Sequence, residues 1–331
     1  MTAPWYSKTF RRAVIDMHIT DHDPRFMRRF DVAEYIGALV KAQAQSVVAY
    51  ADSCVGLTFY PTQVGQMHRN LAGRDIVAEV IEGCHRAGIT VAVYMSVIFE
   101  RWAYDHDPDW LIYRADGKEA APTGRNGVCC PNSPYRHYAR AIAEEIVRRY
   151  DFEGIRFDMT FWPGVCYCRH CRRRFAEEVG GDLPEIVNWE DPRWVAFQRG
   201  RERWLIEFAT MLTTAVKSIK PHLSVEHQAS TFPSTWQFGV SYALAKQNTF
   251  LQGDFYGDIA QGSFARKLFY NLTEHLPGGF ETCSSVDLAN YTALKSEELL
   301  LCKASAALAD GCAFIFIDSI DPEGTLNPAV Y

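Results

Sequence analysis

The sequence predicts an α/β protein folded as a single (β/α)8 barrel, a TIM barrel, and three observations point there. Short apolar runs alternate with amphipathic stretches eight times, the pattern of successive βαβ units. Several runs are continuously apolar, as parallel strands covered by helices must be. Acidic residues close most of the runs, at the strand ends where barrels of this kind assemble their sites. The 331 residues fit one barrel, and no charged linker, low-complexity tract or repeat divides them, so residues 1–331 are read as one domain.

The expected strands are Ala13–Ile19, Ser46–Ala51, Thr90–Val97, Gly154–Asp158, Leu223–Glu226, Thr249–Asp254, Gly279–Thr282 and Cys312–Asp318. Helices are expected between them. Arg74–Ala87 runs up to Gly88, a natural C′ residue, and Tyr135–Tyr150 follows the capping-type start Asn132-Ser133-Pro134. Glu202–Ile219 places Leu205, Phe208, Leu212, Val216 and Ile219 on one face. Ser296–Ala309 ends before Gly311. Only Asp321–Tyr331 follow the eighth strand, so the chain is expected to end before its eighth helix.

Composition narrows the partners. A net charge of −6 gives no footing for nucleic acid or an anionic membrane, and no apolar stretch approaches the roughly 20 residues of a membrane span. Met1–Arg12 lacks the apolar run of a secretory leader, which suggests a cytoplasmic protein. Barrels of this size often pair with copies of themselves, so a homo-oligomer is a further expectation. Aromatic residues make up 13% of the chain, consistent with either a large core or a sugar-binding cleft.

The strand ends carry the chemistry. Strand 1 offers Asp16, His18 and Asp21; strand 4 Asp158; strand 5 Glu226 and His227; strand 6 Asp254 and Tyr256; strand 7 Glu281; strand 8 Asp318 and Asp321. Glycoside hydrolysis needs two carboxyl groups flanking the scissile bond, one donating a proton and the other attacking or activating water. Strands 4 and 7 face each other across such a barrel, so Asp158 and Glu281 are the expected catalytic pair. Glu226, Asp254 and His18 are candidate sugar contacts, and His227 a candidate partner for a carboxylate. Trp102, Trp162 and Tyr256 follow strand ends and are candidate stacking platforms, whereas Trp110, Trp189 and Trp194 read as packing residues. No catalytic cofactor is implied, and Pro277-Gly278-Gly279 precedes a strand, the wrong order for a phosphate loop.

Several of these segments resemble glycoside hydrolase family 29, the α-L-fucosidases. Asp151-Phe152-Glu153-Gly154-Ile155-Arg156-Phe157-Asp158 is similar to the family's fourth-strand segment, whose terminal Asp is the nucleophile; the resemblance assigns that role to Asp158. Gly279-Phe280-Glu281-Thr282-Cys283 resembles a Trp-Glu-Thr-Cys stretch that carries the acid/base in some branches, here Glu281, while other branches draw it from strand 6, here Asp254. Tyr94-Met95-Ser96-Val97 with Trp102 and His106–Trp110, and Asp321-Pro322-Glu323-Gly324, resemble the third-strand and final elements. The resemblance implies a retaining exo-glycosidase acting on carbohydrate; Glu226, by its place on strand 5, is a third claimant to the acid/base role.

Ten cysteines divide into five scattered in apolar settings and five crowded together: Cys129, Cys130, Cys166, Cys168 and Cys171. Cys166-Tyr167-Cys168-Arg169-His170-Cys171 sets three thiols within six residues, and a fourth would complete a tetrahedral zinc site. Cys130-Pro131-Asn132-Ser133-Pro134 is similar to a segment of the family 42 β-galactosidases in which a Cys joins such a trio. That resemblance implies structural zinc held by Cys130, Cys166, Cys168 and Cys171, and makes a β-galactosidase-like enzyme an alternative. A carbohydrate-binding barrel without catalysis and a metal-dependent lyase or aldolase are the readings from other classes.

Overall fold

The structure, a computed structural model, describes residues 3–120, 126–232, 234–287 and 290–331. Eight parallel strands form a nearly closed barrel: β1 Arg11–Asp16, β2 Ser46–Tyr50, β3 Thr90–Ser96, β4 Gly154–Asp158, β5 Ser224–His227, β6 Gln252–Asp254, β7 Gly279–Cys283 and β8 Ala313–Ser319. All eight expected strands are present. The hydrogen-bonded order runs β5-β4-β3-β2-β1-β8-β7-β6. The remaining seam, between β5 and β6, is stitched by Thr249 N to Val225 O at 2.8 Å and Ala229 N to Gln252 O at 3.0 Å. β6 is shorter than expected, because Thr249–Leu251 bond outside a regular ladder.

Nine helices surround the described barrel: α1 Val32–Lys41, α2 Ile76–Arg86, α3 Arg101–His106, α4 Tyr135–Arg149, α5 Arg169–Glu178, α6 Pro192–Ile219, α7 Tyr242–Ala245, α8 Ile259–Leu272 and α9 Glu297–Ala309. Aspartates cap several of them: Asp31 accepts from Ala33 N and Glu34 N, and Asp75 from Ala78 N. α6 starts ten residues before the expected Glu202. Asp191 caps it by accepting from Arg193 N, and Pro192 fits its first turn, where no N–H is needed. The earlier turns bury Trp194, Phe197 and Arg201; polar residues interleaved there hide the apolar period in the sequence. No described helix is long and apolar enough to cross a membrane.

Period-two alternation puts Arg12, Val14 and Asp16 of β1 on one face, and the ladder carries that face around the barrel. Val14 pairs with Val48, Tyr50 with Tyr94, Tyr94 with Arg156, Arg156 with Glu226, and Asp254 with Glu281. These residues line the interior in layers. Glycine makes room twice. A Cβ at Gly154 would collide with Ser224 Oγ, and one at Gly279 would lie 2.5 Å from Ile315 Cδ1 and 2.6 Å from Gln252 Cβ.

Because those contacts come from strands on both sides of β7, the backbone cannot retreat from a new methyl group. Gly279→Ala is expected to lower unfolding stability by about 1–3 kcal/mol, read from urea denaturation midpoints, whereas Gly37→Ala, with no neighbour in the way, leaves the midpoint unchanged or higher.

Candidate active site

The mouth of the barrel holds a cavity lined by Asp16, His18, Tyr50, Tyr94, Arg156, Asp158, Gln228, Asp254, Tyr256 and Glu281 among others. Asp158 sits at the tip of β4, 7% exposed. Its Oδ2 accepts a 2.6 Å hydrogen bond from the Tyr94 hydroxyl, and its Oδ1 has no protein partner. Burial raises its pKa, with the Arg156 cation and the Tyr94 donor pulling the other way. The Tyr94 ring stacks flat on Tyr50 at 3.9 Å, and Tyr50 donates to Asp16 Oδ1 at 2.7 Å. His18 Nε2 lies 2.9 Å from the same oxygen of Asp16, and its Nδ1 lies 3.2 Å from Cys54 Sγ. Burial disfavours charge on His18, yet the Asp16 carboxylate overrides it and lifts the imidazole to about 10, so the ring is a cation at neutral pH.

Glu281 is fully buried. Arg156 Nη1 donates to its Oε1 at 2.6 Å, while Oε2 stays without a protein partner. Burial pushes this carboxyl up to about 7 against the pull of Arg156. Asp254 accepts from Gln228 Nε2 on one oxygen and from the Tyr256 hydroxyl on the other. The mouth therefore gathers Asp158, Glu281, Asp254, His18 and Tyr256, five of the expected site residues. Glu226 faces the same interior beside Arg156 but does not line the cavity; it is 1% exposed, and burial pushes it up to about 8.

Three expectations are corrected. His227 follows Glu226 on β5 and so points to the other side, into the helix layer. There it meets Thr160 Oγ1 at 3.1 Å and Thr213 Oγ1 at 3.0 Å, lies against Phe157, and is driven by burial down to about 3. It is a neutral packing residue and meets no carboxylate. Trp162 is wholly buried, its indole Nε1 donating to Arg201 O at 3.0 Å, so no ring face is open to a sugar. Trp102 lies on α3, stacked on His106 at 4.5 Å and packed against Tyr138 of α4, away from the cavity. Trp194 is a packing residue as expected, whereas Trp189 is 51% exposed.

Arg156 and Tyr94 were named in the sequence without a role at the site, and Tyr50 and Gln228 were not singled out. Strand alternation was the available signal: Arg156 stands two residues before Asp158, on the same face.

Cys130, Cys166, Cys168 and Cys171 converge, their sulfurs all within 4.8 Å of one another and buried. Asn132 donates its backbone N–H to Cys130 Sγ and its amide to Cys171 Sγ, at 3.4 and 3.3 Å. The spacing works because Cys168 stands at the N-terminal boundary of α5 and Cys171 lies in its first turn, while Cys166 precedes both. Four thiols in this arrangement suit a tetrahedral thiophilic cation. All ten cysteines are free of disulfides. The cluster anchors the far end of the loop that leaves Asp158. At the near end Met159 adopts φ 65°, a left-handed conformation costly for a residue with a side chain. Trp162 N donating to Phe238 O, together with the buried indole, holds the loop in that shape.

Residues 31–159 match a family model described as hypothetical glycosyl hydrolase 6. Among solved structures the chain is similar to α-L-fucosidase isoenzyme 2 from Paenibacillus thiaminolyticus, with 21% identity and a TM-score of 0.78 over 98% of this chain and 48% of that one. The glycoside hydrolase domain of PgaB (BpsB) from Bordetella bronchiseptica aligns with 15% identity and a TM-score of 0.74 over 97% of each chain. The β-galactosidase from Bacillus circulans sp. alkalophilus aligns with 18% identity and a TM-score of 0.71, over 96% of this chain and 51% of that one. The fold is that of these glycoside hydrolases. The chain spans about half the length of the fucosidase and the β-galactosidase, and nearly all of the PgaB domain. No curated protein matches the chain.

The Arg156–Glu281 pair is buried on both sides, so removing either partner strands the other. Arg156→Gln is expected to cost about 3–5 kcal/mol of unfolding stability. In a double-mutant cycle with Glu281→Gln, the two losses should sum to clearly more than the double variant shows; strict additivity would mean that the pair does not interact.

Proposed function

We propose that this chain is one catalytic barrel and a retaining exo-glycosidase of α-L-fucosidase-like type, with Asp158 as nucleophile and Glu281 as acid/base. One observation carries the reading: two carboxyl groups with different surroundings share one cavity and one guanidinium at the barrel mouth. Glu281, lifted to about 7, keeps its proton near neutral pH, as a general acid must. Asp158 lines the same cavity with one oxygen unpaired and holds its other oxygen against Tyr94.

In the proposed reaction the Glu281 proton passes to the glycosidic oxygen while Asp158 Oδ1 attacks the anomeric carbon. The C–O bond to the leaving group breaks, and an ester links the sugar to Asp158. Glu281, now a carboxylate, takes a proton from water as that water's oxygen displaces Asp158, and the sugar leaves with its original anomeric configuration. The Arg156 cation beside both carboxyl groups steadies the negative charge as it moves between them. His18, a cation hydrogen-bonded to Asp16, and the Asp254–Tyr256 pair are placed to bind sugar hydroxyls. Support for the sugar class comes from the family 29 resemblance and from the fold shared with a fucosidase and a β-galactosidase. In the same proposal the four thiols hold a structural zinc that pins the loop beyond Asp158 and takes no part in the chemistry.

Nitrophenyl glycosides of α-L-fucose, β-D-galactose, glucose and arabinose test the reading, with the fucoside expected to be cleaved fastest and NMR showing retained configuration. Asp158→Asn should lower turnover more than about a thousandfold with the fold intact. Glu281→Ala should lose about 10²–10⁴-fold on substrates with poor leaving groups and regain rate with azide. Normal cleavage by Glu281→Ala, with such rescue in Asp254→Ala or Glu226→Ala, would move the acid to that residue.

The pH dependence has a definite sign. The reaction uses protonated Glu281, so activity is present below its pKa and falls as pH rises through about 7. Glu281→Gln should remove that alkaline limb. Metal analysis should find one zinc per chain, lost in Cys168→Ser together with a lower unfolding temperature.

A further inference from the structure

The cavity holding Asp158 and Glu281 encloses about 60 Å3, room for the reacting edge of one sugar and not for a chain. Anything attached to that sugar lies outside, across the mouth. Consecutive mouth loops place a row of aromatic rings there. Phe99 follows β3, and Phe161 stands three residues after Asp158; their rings are 5.0 Å apart. Phe161 lies 4.8 Å from Phe238, in the loop after β5. That loop also presents Trp236, whose ring meets Trp189 edge-on at 5.3 Å.

The outer end of the row is raised by α6. Its 28 residues span about 42 Å, whereas the longest strand, seven residues, spans roughly 23 Å. The C-terminus of α6 meets the barrel floor just before β5, so its N-terminal turns stand above the mouth. Trp189 precedes those turns and is half exposed, with the buried Trp194 of α6 backing both it and Trp236.

We propose that Phe99, Phe238, Trp236 and Trp189, with the buried Phe161 joining the first two from beneath, form a rail for the leaving-group side of a glycan, so that the substrate is an oligosaccharide chain whose terminal sugar enters the cavity. This rests on the glycosidase reading and extends it to the aglycone. Three features fit a sugar chain. Two of the loops that carry the row also line the cavity: Met159 stands two residues before Phe161, and Gln228 opens the loop of Trp236 and Phe238. In Thr235-Trp236-Gln237-Phe238, rings alternate with hydrogen-bonding side chains, matching the C–H faces and hydroxyl rims of pyranoses. On the same loop, Gln228 lines the cavity, 6% exposed, with its Nε2 committed to Asp254 and its Oε1 a buried acceptor left without a protein partner.

The test uses the full chain carrying Asp158→Asn, to prevent turnover, and follows tryptophan fluorescence. The probes are mono- to hexasaccharide series of galacto-, chito-, xylo- and cello-oligosaccharides and fucosylated milk oligosaccharides. Affinity is expected to rise at least about tenfold with chain length in one series. Trp189→Ala, at a half-exposed site where folding does not depend on the ring, should erase about tenfold of that gain, and Trp236→Ala should do the same. Affinity independent of length in every series, or an undiminished gain in both variants, overturns the rail. So does a Trp189→Ala variant whose main effect is to turn a dimer into a monomer in sedimentation, since the row would then be a protein interface. Length-dependent binding without cleavage of any glycoside by the wild type would retire the catalytic reading and leave the rail standing; cleavage of aryl glycosides with length-independent binding would do the reverse.

Discussion

A guanidinium buried in the middle of a barrel is the constraint around which this molecule is arranged. Arg156 projects inward from β4 with 4% of its surface exposed, where a lone cation would be prohibitively unstable. Three carboxyl groups answer it: Glu281 bonded directly, Asp158 two residues along its own strand, and Glu226 as its register neighbour on β5. Barrel interiors are usually filled with branched aliphatic side chains. This one is divided. Val14, Val48, Ile315 and Ile317 fill much of the side formed by β1, β2 and β8, where Arg12 of β1 adds a second buried guanidinium that donates to Gln252 Oε1 at 3.1 Å, while β4 to β7 contribute Arg156, Glu226, Gln252 and Glu281. Gly279 leaves the space that Gln252 needs, and Gly154 the space taken by Ser224.

That charged half explains how carboxyl groups so close together can differ. Burial raises Asp158, Glu226 and Glu281 alike, and Arg156 opposes the rise in each. What separates them is local: Asp158 takes a tyrosine hydroxyl, Glu281 takes the guanidinium at hydrogen-bond distance, and Glu226 takes neither. Carboxyl groups whose surroundings differ in this way are the raw material for the separate acid and nucleophile roles proposed above. The proposed reaction draws on that difference. It also needs Asp158 to hold still, and the loop beyond it is fixed at both ends, by the strained Met159 with buried Trp162 and by the four converging thiols.

Much of this was legible in the chain. The eight strands were readable because parallel strands sandwiched between core and helices must be apolar throughout, and the tips of β4, β6 and β7 could be named because each apolar run stops at an acid. The trio Cys166, Cys168 and Cys171 was readable from its spacing, whereas the fourth thiol, Cys130, rested on the family 42 resemblance. Three assignments failed for one reason. His227, Trp162 and Trp102 stand at or just after strand ends, as site residues should, but sequence position does not say which way a side chain turns. His227 is one residue out of phase with Glu226 and faces the helices; Trp162 and Trp102 were drawn into packing by the large apolar area they bury.

Local sequence therefore determined what depends on neighbours along the chain: strand identity, helix caps, the thiol spacing and the acids at the tips. Tertiary structure alone decided what depends on distance between strands. Nothing near Arg156 in sequence announces Glu281, 125 residues away, as its partner. Nor does Trp189 announce Trp236, which it meets only because α6 outgrows the barrel. Charge compensation and ring stacking act over a few ångströms, and only closure of the barrel brings those residues within that range.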